Sequence, residues 1–510
     1  MGSLRIGGSV ERVDGRALSY DDFVERYMKP NLPVVLTGLM DGWKGCTDWV
    51  TPGGFPNLPF FSSNFGQSIV QVADCGTKEF TDQKRIEMTV KEYIQYWLGL
   101  PDENCISCLG GDKNSCSLLY LKDWHFVKEY PEYVAYTTPP FFIDDWLNQY
   151  LDSHFMHRSS ETDGPKNDVN CADYKFVYMG PKGTWTPLHA DVFRSYSWSA
   201  NVCGKKLWHL LPPSQSHFVF DRNFKKSVYD VYDNVSDVLF PDFKKTIWLE
   251  CIQERNEIIF VPSGWYHQVC NLEDTISINH NWFNSHNLAW VWNLLLKDYN
   301  EAKEYIEDIR EISDDFEGLC QRNLAANTGM NFYDFFVMIT RFTIAISIQL
   351  HCLKYEKNAF AKSSSKHQQL VYNLLAIRAV ALSLKSVDAF DKENLKRCWV
   401  KNLLADSHVR TILLEPEFIK LSMSLNQTYG MVNEMVEQDY KTKMEASCSD
   451  GEKMGFLQDC SGSNICRPED LVKLIDHAMA DHSSICNACN LNSPSDSSDL
   501  RSSLLKMHII

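Results

Sequence analysis

Two short segments hold residue types that together could bind a metal. The first runs Trp185-Thr186-Pro187-Leu188-His189-Ala190-Asp191, the second Pro262-Ser263-Gly264-Trp265-Tyr266-His267. They supply His-x-Asp and a distant His, that is, two neutral nitrogens and one anionic oxygen. On one side of a metal this donor set leaves positions open, as in a non-haem Fe(II) centre of the facial type. In a chain with fifteen histidines, His-x-Asp alone arises about once by chance, so its surroundings must carry the argument.

Those surroundings read as strands. Tyr174–Gly180 is aromatic and β-branched and is closed by Gly-Pro. His189 and Asp191 are two apart, so on a strand entry they face one side. Glu257–Val261 is a second strand, and the turn Pro262-Ser263-Gly264 delivers His267 just after it. A double-stranded β-helix, a form of jelly roll, brings such separated strands together. The competing reading is a β-sandwich with scattered structural histidines. Gly204-Lys205-Lys206 lies between two further strand-like runs, Ser195–Cys203 and Leu207–Leu211. A lysine entering an inward-facing strand there can act as a point charge for the far carboxylate of a dicarboxylic co-substrate. Strand parity decides between Lys205 and Lys206.

The strings His189–Trp208 and Pro262–His267 resemble the Jumonji-C family of Fe(II)/2-oxoglutarate oxygenases. Leu119–His125, Asp145–Asn148, Phe193–Ser199 and Asn271–Trp282 resemble one subgroup of that family, whose substrate class is a lysyl side chain of a translation termination (release) factor. The likeness runs from about Ser19 to about residue 300. It implies that His189, Asp191 and His267 are the iron ligands and that Lys206 holds the C5 carboxylate of 2-oxoglutarate. Thr186 and Tyr120 match groups that share this carboxylate. Asn279 and Asn281 fall on the last core strand with inward parity. Many relatives carry an asparagine between the Asp and Lys positions; here Ser197, Ser199 and Asn201 are the candidates, and Asn201 is included among the co-substrate contacts. The implied cofactors are Fe(II), 2-oxoglutarate and dioxygen, with succinate and CO2 as co-products of protein hydroxylation. A histone lysine demethylase and a non-enzymatic cupin-like scaffold are the alternatives.

The expected fold is mainly β with flanking helices: a double-stranded β-helix (cupin, jelly-roll) core plus a C-terminal helical region. Residues 1–18 are expected as a flexible arm, 19–285 as the oxygenase domain, 286–440 as helices and 441–510 as a Ser/Cys-rich, largely disordered tail. Ser19-Tyr-Asp-Asp22 and Thr89-Val-Lys-Glu92 have capping-box spacing, and Asn31–Gly38 reads as a strand. Helical spacing covers Leu288–Ile312, Phe332–Tyr355, Gln368–Leu384 and Leu395–Leu404, with a short helix near Pro468–Ala480 and a linker at Lys362–Lys366. The helical region is a candidate for homodimer formation.

Composition adds boundaries. Apolar residues make up 44% and aromatics 13%, enough for a sizeable core. The net charge of −16 argues against broad nucleic-acid contact and suits a basic protein substrate. Met1–Ile6 has no apolar signal region, and the run Phe335–Ile348 is short and carries Arg341, so it reads as a buried helix rather than a span. The expected location is the cytoplasm, with the nucleus also open to it. The seventeen cysteines fit reduced thiols. Cys105-x-x-Cys108 and Cys486-x-x-Cys489 have irregular surroundings, and the second pair, near Cys460, Cys466, His477 and His482, is a candidate zinc site.

Overall fold

A computed structural model describes residues 4–101, 117–154, 173–353, 363–397, 407–432 and 464–480. Its strands are β1 (Ile6–Ser9), β2 (Glu11–Asp14), β3 (Val34–Thr37), β4 (Ile69–Glu79), β5 (Asp82–Thr89), β6 (Leu119–Trp124) and β7 (Lys175–Gly180). They continue as β8 (Trp185–His189), β9 (Tyr196–Cys203), β10 (Lys206–Leu211), β11 (Trp248–Gln253), β12 (Ile258–Val261), β13 (Tyr266–Asn271) and β14 (Thr275–Trp282). Five form one sheet in the order β1-β11-β10-β13-β8, and nine form the other in the order β2-β3-β12-β9-β14-β7-β6-β4-β5. From β7 to β10 and again from β11 to β14 the chain alternates between the sheets, which is the winding of a double-stranded β-helix. The alternation follows from short β-branched and aromatic runs broken by turn residues. Val35, Trp208, Leu210, Ile259, Val261 and Val269 pack together between the sheets. Each such buried side chain contributes on the order of 1.5–3 kcal/mol.

The chain divides into two units. The first comprises residues 1–141 and 173–282, the second residues 142–172 and 283–510. In the second unit, Phe332–Leu353 is apolar and long enough to cross a membrane, but 83% of its apolar window is buried among helices. Helices Ser363–Leu384, Pro416–Val432 and Pro468–Met479 pack on it. The short helix Trp146–Leu151 belongs to this unit, and the Trp146 indole stacks on Phe342 with centroids 4.7 Å apart.

Two expectations change. Residues 4–18 are not a loose arm, because β1 pairs parallel with β11 and β2 parallel with β3. Nearly all side chains of these two strands are exposed, so backbone pairing at the sheet edges orders them and leaves no apolar pattern to read. Of the linker expected at Lys362–Lys366, Ser363–Lys366 instead open the helix Ser363–Leu384, and Lys362 lies outside the described residues. The helix opened by Ser19 runs from Tyr20 to Phe23, widens into a π-turn over Val24–Met28 and ends before Pro30, as expected. Thr89 forms the full capping box with Glu92. The Cys105 and Cys486 pairs and the tail outside residues 464–480 lie beyond the described residues, as does most of Leu395–Leu404.

Candidate active site

The ligand atoms of His189, Asp191 and His267 lie within 4.8 Å of one another. His189 ends β8, His267 is the second residue of β13, and the two are register partners across the five-stranded sheet. Their rings sit 4.3 Å apart. Each Nδ1 lies against a carbonyl, Pro187 O at 2.8 Å and Trp265 O at 3.1 Å. A carbonyl can only accept, so both Nδ1 atoms donate and both Nε2 lone pairs are left for a metal. Desolvation, and then the neighbouring His267 ring, push the His189 pKa down and keep it a neutral ligand.

Asp191 lies just past the end of β8, at the start of a tight turn. The Ser197 hydroxyl donates to its Oδ2 at 2.7 Å, which orients the carboxylate. After Val192, the two following turn residues adopt left-handed backbone, Phe193 at φ 55° and Arg194 at φ 52°. Such non-glycine conformations cost roughly 1–3 kcal/mol each.

Thr186 and His189 are three residues apart, so on a regular strand they would face opposite sides. The ladder between β8 and β13 slips here: His267 pairs with His189, while Val269 pairs with Thr186. Two steps on β13 match three on β8, and this bulge turns both side chains inward. The Thr186 hydroxyl is buried and has no partner among the described residues.

Lys206 opens β10 and is buried; Lys205 is half-exposed and pairs with Glu254 and Glu273. Parity is set by the turn before them. Gly204 there has φ 73°, and a Cβ on it would meet Asp274 O at 2.2 Å, so only glycine fits. The Lys206 ammonium donates to the Tyr120 hydroxyl and to Asn271 Oδ1, each at 3.0 Å. Asn271 is held in turn by donation to Thr184 Oγ1 at 2.8 Å. Among the described residues no carboxylate pairs with Lys206. Burial without a counter-charge pushes its pKa down to about 7.

The three candidates on β9 separate. Ser197 bonds Asp191, Ser199 is buried with no partner for its hydroxyl among the described residues, and Asn201 donates to Gly204 O at 2.7 Å, which braces the turn. Asn279 and Asn281 sit beside Ser199 and Ser197 in the ladder and share their face. Their amides donate to Ser277 Oγ at 3.1 Å and Ser195 Oγ at 3.3 Å. Sequence reasoning quoted Asn271 but gave it no role. Its place opposite Lys206 in the β10–β13 register was the missing signal.

Near the same face, Lys122 of β6 donates to Gln83 Oε1 at 3.1 Å, and Gln83 donates to Trp185 O at 3.0 Å. Arg85 lies between Asp82 and Asp123, at 3.4 and 2.8 Å. With Lys122 this gives two cations for two carboxylates, a balanced cluster rather than an acidic one.

Residues 20–288 match the model of the cupin-like domain family. The chain is 50% identical to arginine-specific demethylase JMJ20 of Arabidopsis thaliana, over 93% of this chain and 97% of that protein. It is 40% identical to 2-oxoglutarate and iron-dependent oxygenase JMJD4 of Gallus gallus, over 66% of this chain and 76% of that protein. The Danio rerio protein of the same name is 41% identical, over 63% and 71% respectively.

Proposed function

The chain belongs to the Jumonji-C branch of the cupin-like family, and from that premise we propose that it is an Fe(II)- and 2-oxoglutarate-dependent oxygenase of protein side chains. One observation carries the reading: a converged His189, Asp191 and His267 set stands in the same barrel as a buried lysine that lacks a counter-charge. The residues present fit both groups. Two imidazoles with free Nε2 atoms and one carboxylate suit Fe(II). A buried ammonium suits a carboxylate, and among the described residues the buried hydroxyls of Thr186 and Ser199 have no partner of their own.

With iron, 2-oxoglutarate and dioxygen bound, such a centre oxidises a substrate C–H bond and releases succinate and CO2. The protein's part is positioning. His189, Asp191 and His267 hold the metal. Lys206 supplies charge to the far carboxylate, and Tyr120 and Thr186 share it. Asn271, opposite Lys206 on the next strand, holds its ammonium. Ser199 takes the remaining co-substrate contact, while Ser197 orients Asp191 and Asn201 sets the turn before Lys206. Asn279 and Asn281 line the wall beside these serines.

For the substrate we propose a lysyl side chain of a translation release factor, met in the cytoplasm. The support is the motif likeness along Leu119–His125 and Phe193–Ser199, and an acidic chain that suits a basic partner. A second reading, removal of a methyl group from arginine, is favoured by the 50% identity to a protein named as an arginine-specific demethylase. Both start at a C–H bond on a cation-bearing side chain. They differ in whether the oxidised carbon keeps its oxygen or leaves as formaldehyde.

Mass spectrometry separates them. The chain is incubated with Fe(II), 2-oxoglutarate and either release factor or a methylarginine peptide. One oxygen gained on a lysine is the expected result. Loss of a methyl group with formaldehyde would replace lysyl hydroxylation by demethylation. An absence of succinate with both substrates would overturn the oxygenase reading.

A further inference from the structure

The turn that follows Asp191 holds a contact that the proposed chemistry does not use. Phe193 and Arg194 are consecutive non-glycine residues with left-handed backbone, closed by the Arg194 N–H donating to Asp191 O at 3.0 Å. Consecutive residues in this region persist only when their surroundings over-determine them. Phe193 is buried and meets the Tyr174 ring edge-on at 5.4 Å. Arg194 reaches the neighbouring strand β13, where its guanidinium donates to the Tyr266 hydroxyl at 2.9 Å and lies 5.0 Å from the centre of that ring. Tyr266 is itself 7% exposed, packs with Leu188 and Leu211, and immediately precedes His267.

We infer that Arg194 and Tyr266 form a latch that sets the placement of the Asp191 carboxylate relative to the His267 ring. The two ligands come from different elements, and Arg194 joins them. One end of the latch is three residues from Asp191 and the other is one residue from His267. Arg194 is a positioning residue, since it acts on the metal through Asp191. A guanidinium suits the task because it donates in a fixed fork and stacks on an aromatic face at once, which an ammonium does less well. Groups that orient metal ligands typically change metal affinity by ten- to a hundredfold when removed.

This inference rests on the metal reading above, and the experiment separates the two. Co(II) alone is titrated into the full chain, and its visible absorption reports binding and ligand environment. Wild type should bind with a single spectrum. Arg194→Gly removes the latch but relieves the left-handed strain at its own position, so folding is kept. We expect its apo melting temperature to stay near wild type while Co(II) affinity falls by about tenfold and the spectrum shifts. Tyr266→Phe keeps the ring and loses the hydroxyl, so its loss should be smaller. Arg194→Lys should recover affinity only in part. Wild-type affinity and spectrum in Arg194→Gly would overturn the latch and leave the metal site standing. A wild-type chain that takes up no Co(II) would remove the metal reading and the latch with it.

Discussion

In the β unit the Lys206 ammonium is buried beside neutral acceptors, the Tyr120 hydroxyl and the Asn271 carbonyl; in the helical unit the Asp144 carboxyl is buried beside neutral donors. Neither has a counter-ion among the described residues, and burial pushes both pKa values to about 7, the lysine from above and the aspartate from below. Their surroundings differ. Asp144 accepts from Trp146 Nε1 at 3.0 Å, from Asn284 Nδ2 at 3.2 Å and from the Tyr429 hydroxyl. Tyr429 accepts in turn from Asn373, whose carbonyl takes Ser285 and Gln369. That network is closed. Lys206 has two partners for three N–H donors, and the hydroxyls of Thr186 and Ser199 stand partnerless in the same barrel. A buried charge with a closed shell tends to serve the fold, and one with an open shell is built for a ligand.

The largest effect should come from breaking the open shell. Lys206→Met removes a charge-assisted contact worth about 1.5–3 kcal/mol, so KM for 2-oxoglutarate should rise by ten- to a hundredfold. The apo protein should hold or gain thermal stability, because an uncompensated buried ammonium is gone. Lys205→Met, on the exposed side, should change neither. An unchanged KM in Lys206→Met would erase the distinction between the two buried charges.

The same comparison predicts two pH limbs of opposite slope. Asp144 is protonated in the fold up to about pH 7 but ionises near 4 when unfolded, so between these values the folded state binds the extra proton. Its contribution is full below pH 4 and is lost as pH rises through 7. Lys206 is neutral in the fold above pH 7 but stays charged to about 10 when unfolded, so stability rises with pH across that window. Melting temperatures from pH 4 to 10 should show both limbs as differences from variants: Asp144→Asn flattens the lower, Lys206→Met the upper. Each is at most a few kcal/mol. Parallel curves for wild type and Asp144→Asn would mean the carboxyl titrates normally despite its burial. Co-substrate binding should follow the lysine, with KM flat below pH 7 and rising above it as the ammonium must be restored.

How much of this was legible in the sequence depends on range. The metal ligands were readable because His-x-Asp and the Pro-Ser-Gly turn are local; the strand pattern alone left Lys205 and Lys206 open, and the family resemblance pointed to Lys206. Thr186 facing inward needs a bulge that exists only in the ladder with β13. Asn271 supports Lys206 through a register partner 65 positions away. Nothing local in Phe-Phe-Ile-Asp-Asp-Trp marks Asp144 as buried; its partners Asn284 and Tyr429 are far along the sequence. The edge strands β1 and β2 carry exposed side chains and so left no pattern at all.

The smallest effect sharpens the comparison most, because it separates neighbours on one strand. Ser199 and Asn201 are both buried, share a face of β9 and are close in sequence. Only Asn201 has a protein partner, the Gly204 carbonyl that sets the entry to β10. Ser199→Ala removes a hydroxyl that the apo protein does not use, so stability should be unchanged. It should raise KM for 2-oxoglutarate about fivefold, the value of one neutral hydrogen bond near 1 kcal/mol. Asn201→Ala should do the reverse, lowering the melting temperature through the freed turn carbonyl and altering KM only as far as Lys206 shifts. If Ser199→Ala leaves KM alone and Asn201→Ala raises it at constant stability, the unpaired Asn201 Oδ1 is the co-substrate contact. The open shell would then sit one strand repeat further along β9.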